Sequence, residues 1–154
     1  MRMTFRARLG YEVARRLFHW PWLVKQPRLW RWMEGQFARM ANLGHSPAQS
    51  FYGHILLFRG QGMGARHEGR RLLVLAAKAG DAKAAYQLGV LCLQEEGLQA
   101  ADPQQAVVWL TQAAQAGHPA AAFRLSTLYR TGAPGVPADE ALAAHVAAQI
   151  KDNP

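Results

Sequence analysis

Internal self-similarity constrains this chain more than any other feature, because a chain of repeats must stack them to bury a core. The segment Gly80-Asp81-Ala82-Lys83-Ala84-Ala85-Tyr86-Gln87-Leu88-Gly89 aligns with Gly117-His118-Pro119-Ala120-Ala121-Ala122-Phe123-Arg124-Leu125-Ser126 at an offset of 37. The same offset pairs Leu91 with Leu128, Asp102 with Asp139 and Ala106 with Ala143. An offset of 36 leads back from Gly80 to Gly44, from Ala84 to Ala48, from Gly89 to Gly53 and from Leu91 to Ile55. An alanine precedes each anchoring glycine by three residues: Ala41, Ala77 and Ala114. Three units follow, anchored at Gly44, Gly80 and Gly117.

Each unit reads as two helices. Ser46-Pro47 and Asp81 offer N-caps just after their glycines. Tyr86, Leu88, Leu91 and Cys92 keep an apolar face at helical spacing. A glycine-rich loop follows, such as Arg59-Gly60-Gln61-Gly62-Met63-Gly64 or Thr131-Gly132-Ala133-Pro134-Gly135. The second helix opens at Asp102-Pro103-Gln104-Gln105, which matches a capping box. Its apolar stripe is Ala106, Trp109, Leu110, Ala113 and Ala114, and Gly117 stops it as a left-handed C-cap glycine would. No segment alternates with period two, so the expected fold class is all-α.

The run Ala84-x-Tyr86-x-Leu88-Gly89-x-Leu91, a loop, Asp102, Ala106-x-x-Trp109-Leu110-x-x-Ala113-Ala114-x-x-Gly117 resembles a Sel1-like repeat, the longer-looped relative of the tetratricopeptide repeat. The likeness covers about residues 44–150 and is fullest in the middle unit. The first unit departs at Ser50, where the pattern has an aromatic, and at Gly69, where it has alanine. The third has Ser126 in place of Gly89 and Val146 in place of Trp109. The resemblance implies a right-handed superhelical solenoid of helix pairs and an adaptor or scaffold role. Some secreted relatives carry a cysteine pair in every repeat; Cys92 is the single cysteine here.

Residues 1–43 differ from the repeats of 44–154. They carry nine Arg/Lys and two Glu, whereas residues 44–154 carry nine and eight. Net charge is therefore +7 in the first segment, out of +8 for the chain. Four of five tryptophans lie between Trp20 and Trp32, while 22 alanines lie in residues 76–154 against six in residues 1–75. Phe5, Leu9, Val13 and Leu17 recur at steps of four over residues 4–19, with Arg2, Arg6, Arg8, Arg15 and Arg16 around them. Pro21 is expected to end that helix. Pro27 opens another, with Trp30, Met33, Phe37 and Met40 or Ala41 on one face. Residues 4–43 thus read as a degenerate helix pair that caps the array.

Catalysis has no constellation to work with. The glycines at 60, 62 and 64 follow no strand, so they read as a loop rather than a phosphate cradle. The six histidines, at 19, 45, 54, 67, 118 and 145, show no pair at i, i+4 around a glutamate, so neither metal nor cofactor is expected. His45 and His118 fall where a helix cap is sufficient explanation. Cys92 reads as a small buried hydrophobe, and adjacent Glu95 and Glu96 as a solvated helix end.

Two surfaces are candidates for binding. One is a basic-aromatic face built from Arg15, Arg16, Trp22, Arg28, Arg31 and Trp32, since Trp and Arg are enriched at interaction hot spots. The other is the inner wall of the superhelix: Gln49, Phe51, His54 and Phe58, then Gln87, Val90 and Gln94, then Arg124 and Thr127. The expected function is a non-catalytic adaptor that docks a protein partner, one with an acidic surface suiting the net charge. The alternative is a peripheral membrane or nucleic-acid-binding module led by the basic N-terminal helices. With a single cysteine and no apolar run near the roughly 20 residues of a membrane span, the expected location is the cytoplasm, at the membrane periphery under the second reading.

Overall fold

The computed structural model describes residues 5–96 and 98–151. Arg2 of the basic N-terminal run, and Thr4, where the first helix was expected to begin, lie outside the described residues. The chain forms two compact units, one ending at Ala79 and one beginning at Gly80. The first unit contains α1 (Phe5–Phe18), α2 (Pro21–Val24), α3 (Pro27–Asn42), α4 (Ser46–Arg59) and α5 (Gly62–Lys78). The second contains α6 (Ala82–Cys92), α7 (Pro103–Gln115), α8 (Pro119–Thr131) and α9 (Glu140–Lys151). Among the described residues there is no strand, only isolated bridges Glu96–Gln99 and Ala133–Val136 in the loops.

The anchoring glycines end helices, as their spacing requires. Gly44, Gly80 and Gly117 have φ of +81°, +99° and +87°, in the left-handed region that glycine enters without a Cβ clash. At Gly44 the glycine N–H donates to Ala41 O (3.1 Å) and the next N–H, from His45, to Met40 O (3.2 Å). At Gly117 the same pair runs to Ala114 O and Ala113 O, both at 3.0 Å. These two bonds are the Schellman closure. The carbonyl that receives the glycine N–H could come from any residue; what suits alanine three residues before the glycine is burial, which is nearly complete at Ala41 and Ala77.

The residue after each glycine then caps the next helix. His45 Nδ1 accepts from Ala48 N–H (3.2 Å), Asp81 Oδ1 from Ala84 N–H (2.8 Å) and His118 Nδ1 from Ala121 N–H (3.3 Å). His45 and His118 thus each finish one helix and start another, which fixes a sharp elbow at those two places.

The loops separate the first repeat from the others. Only Gly60 and Gln61 connect α4 to α5; Gly62 takes φ +81° and Met63 and Gly64 are already helical, so the loop is shorter than its glycines suggested. In the second repeat Asp102 N–H bonds Cys92 O (2.6 Å), and in the third Asp139 N–H bonds Tyr129 O (2.7 Å), each pair offset by 37 residues. Asp102 and Asp139 also cap α7 and α9, accepting from Gln105 N–H and Leu142 N–H at 3.0 Å. Gln105 does not complete the capping box with its side chain; its neighbour Gln104 reaches Gly135 O instead (3.1 Å).

Helix pairs close on small residues. A Cβ on Gly53 would meet Gly69 O at 3.1 Å, and one on Gly69 would meet Gly53 O at 2.9 Å, so α4 and α5 touch through paired glycines. A Cβ on Gly89 would come within 2.7 Å of the Leu110 side chain. Ser126 stands at the corresponding place in the third repeat, buried, with its hydroxyl donating to Ala143 O (2.9 Å). Its extra atom is accommodated by a hydrogen bond rather than by space.

The N-terminal helices share a core with the first repeat. Ala7, Tyr11 and Ala14 of α1, Met33, Phe37 and Met40 of α3, and Ala48 and Ile55 of α4 form one buried cluster. The α1 stripe is therefore a correction to the sequence reading. Phe5, Leu9 and Val13 are 80%, 54% and 41% exposed, and only Leu17 is half-buried. The core-facing stripe is Ala7-Tyr11-Ala14-Phe18, equally periodic but composed of smaller or more polar residues. Pro21, expected only to end α1, instead opens the short helix α2.

Candidate functional site

On the first unit the solvent face of α3 carries Arg28, Arg31, Trp32 and Arg39, at helical spacing opposite buried Met33, Phe37 and Met40. All four are exposed. Arg28, Arg31 and Trp32 were named from sequence; Arg39, on the same face, was missed. Arg15 and Arg16 are exposed near the end of α1, Arg16 on its outer side beside Leu9 and Arg15 on a flank near Tyr11. Trp22 is exposed on α2, stacked on Trp20 with ring centroids 6.3 Å apart. Trp30 is half-buried and packs on Phe18 at 6.3 Å, so it belongs to the core. Burial raises the pKa of the Tyr11 phenol, and the Arg15 guanidinium beside it pulls the other way.

The inner-wall residues of the first unit divide. Gln49 is a correction: it is 8% exposed, and its Nε2 donates to Ala41 O (3.2 Å), another carbonyl bond at the end of α3. Phe51 is also turned inward, edge-on to Phe37 at 5.1 Å and to Phe18 at 5.3 Å. His54 Nδ1 is bonded to Ser50 O (2.6 Å) and its ring stacks on exposed Phe58 at 6.4 Å. Of this group Phe58 is exposed, Phe51 and His54 are half-buried and Gln49 is buried. Nearby, Tyr52 OH donates to Glu34 Oε1 (3.1 Å); burial, reinforced by the Glu34 charge, raises the phenol pKa well above its ordinary value.

On the second unit Gln87 and Val90 are half-buried, while Gln94, Arg124 and Thr127 are exposed. Gln94 lies beyond the end of α6. The Thr127 hydroxyl donates back to Phe123 O (3.1 Å). The feature that sequence reasoning missed is the aromatic pair related by the 37-residue offset. Tyr86 is covered by the His118 ring, stacked at 4.6 Å, with the Arg124 guanidinium 5.9 Å from its centroid. Phe123, its counterpart, is 68% exposed. The alignment of Tyr86 with Phe123 was the signal available.

A groove of about 500 Å³ in the same unit runs along Ala114, Gly117, His118, Ala122 and Ile150. Its one titratable wall is His118, held below the ordinary histidine pKa by burial and by Lys83. Burial, with Arg8, does the same to His45, which Glu12 opposes. Among the described residues no group of three His, Cys, Asp or Glu side chains is placed to hold a metal ion. Cys92 is buried. No helix among them is long and apolar enough to cross a membrane.

Against this geometry the comparisons are specific. The family model described as Sel1 repeat matches residues 46–81, 82–118 and 119–145. Among curated proteins none matches the chain. Among the solved structures similar to it are two repeat proteins. One is described as c5321, a protective antigen present in uropathogenic Escherichia coli strains displaying an SLR fold. It has a TM-score of 0.67 and 22% identity over 78% of this chain and 26% of that one. The other is a Sel1 repeat protein from Oxalobacter formigenes, with a TM-score of 0.68 and 27% identity over 77% of this chain and 34% of that one. The chain thus spans between a quarter and about a third of the length of these two proteins.

Proposed function

The chain belongs to the Sel1 repeat family, whose members are typically protein-interaction scaffolds, and we propose that it acts as a non-catalytic adaptor docking a protein partner on the first helices of its repeats. The observation that carries this reading is Phe123. A large aromatic on the first helix of the third repeat is 68% exposed, next to exposed Arg124. Such a pair combines an apolar anchor with a cation, the chemistry of a binding hot spot for a segment with aromatic or acidic side chains. Phe58, exposed on the first helix of the first repeat, supports the same reading independently. The proposed setting is the cytoplasm, which the lone buried Cys92 suits.

The test is affinity capture from the native cell with wild type, a Phe123→Ser/Arg124→Gln variant and a Phe58→Ser variant. The changed side chains are exposed, so the free energy of unfolding should stay within about 0.5 kcal/mol of wild type. The double variant should lose a protein that wild type retains. Retention of the same proteins by all three forms would overturn the proposal.

A further inference from the structure

The outer face of α1 remains outside that reading. Phe5, Leu9 and Val13 project away from the core at steps of four, and Arg6 and Arg16 lie among them on the same side of the helix. This face continues onto α3. The Gln36 side chain lies against Gly10, so the α1 flank with Gly10, Val13 and Leu17 runs beside the α3 flank with Trp32 and Gln36. Exposed Arg28 and Arg39 border Trp32 there. The single acid on the α1 part is Glu12, and Arg6 and Arg16 form no ion pair among the described residues.

The geometry points to the surface of an anionic lipid bilayer as the occupant of this face. The charge is predominantly positive, Arg6, Arg16, Arg28 and Arg39 against the one acid Glu12, and large apolar side chains stand between the cations rather than in a separate pocket. A bilayer interface answers both: Phe, Leu, Val and Trp enter the boundary between headgroups and acyl chains, while arginines reach lipid phosphates. A nucleic acid would satisfy the arginines but leave Leu9 and Val13 without a match. The repeat core needs none of these side chains, since α1 already packs through Ala7, Tyr11 and Ala14.

The experiment is co-sedimentation of the full chain with vesicles of phosphatidylcholine alone, or with roughly a third of the lipid replaced by phosphatidylglycerol. Wild type should bind the second and not the first, more weakly as salt rises. Phe5→Ser/Leu9→Ser/Val13→Ser keeps every charge and should weaken binding by roughly tenfold or more. Arg6→Gln/Arg16→Gln/Arg28→Gln/Arg39→Gln should abolish the preference for anionic lipid. Circular dichroism confirms folding; if the triple variant does not fold, Phe5→Ser alone serves, its side chain being outside the core. The inference is overturned if wild type ignores anionic vesicles. It is equally overturned if the apolar variant binds them as tightly as wild type, the result expected when simple attraction of a cation to any polyanion is at work. Wild type that self-associates through this face and leaves vesicles untouched would assign it to a second copy of the chain instead. Loss of protein capture by Phe123→Ser/Arg124→Gln is read separately, so either proposal can fail alone.

Discussion

The two units solve one packing problem with different materials. In the N-terminal unit the largest buried side chains are Tyr11, Phe37, Met33 and Met40, and the rings of Tyr11, Phe18, Phe51 and Tyr52 surround Phe37 at 5.1–6.3 Å. In the C-terminal unit Leu88 and Leu110 are the largest wholly buried residues, and alanines fill most of the remainder. Large rings let irregular helices pack at larger separations; alanine and glycine require regular helices to approach closely. The difference teaches why the repeat signature is clear in the second unit and fades toward the start of the first, where core volume holds α1, α3 and α4, while α4 and α5 keep the close glycine contact.

The largest effect should come from removing the centre of the aromatic core. Phe37→Ala is expected to cost about 3–5 kcal/mol. Hydrogen exchange should show protection falling throughout α1, α3 and α4 and much less in α6–α9. Equal loss in both units would break the distinction between them. Gly89→Val probes the close-approach strategy: its side chain meets Leu110, and a loss of about 1–3 kcal/mol is expected by thermal or urea unfolding. An unchanged midpoint would show that α6 and α7 have slack. Gly117→Val leaves open space around the new Cβ but forces a β-branched residue to φ +87°. A loss of about 1–2 kcal/mol follows from backbone strain alone.

The smallest effect separates the elbows by their capping chemistry. Nδ1 of His45 and of His118 can accept the cap bond only when it carries no proton, and the pKa of each is held below 6.5, chiefly by burial. With the folded pKa below the unfolded one, the stabilisation is fully present above about pH 6.5 and is lost as pH falls through the folded value. Lys83 near His118, and Arg8 against Glu12 near His45, set how far each is shifted. Melting points between about pH 7.5 and about pH 5.5 should fall more for wild type than for His45→Asn/His118→Asn, since asparagine caps without titrating in that range. Parallel curves would mean that the histidine caps contribute nothing to the elbows.

The sequence determined what local chemistry controls. Positive-φ glycines at 44, 80 and 117 were legible because only glycine enters that region cheaply, and the 36–37-residue spacing placed them. The caps at Asp81, Asp102 and His118 were legible for the same local reason, as was the apolar face of α3; in the first repeat His45 caps and Ser46, offered as the cap, is already the first helical residue. What only the tertiary structure decided is which of two equally periodic faces points inward. On α1, hydrophobicity favoured Phe5, Leu9 and Val13, but α3 and α4 already present Phe37, Met33, Met40 and Ile55. The space left beside those large side chains admits Ala7 and Ala14, with one ring from Tyr11. On α4 the Gln49 amide turns inward to donate to the Ala41 carbonyl, whose second lone pair is still open beside the Gly44 N–H bond, where periodicity alone had placed it outside. Volume and spare acceptor capacity belong to the neighbouring helix, so no reading of a single helix could have supplied them.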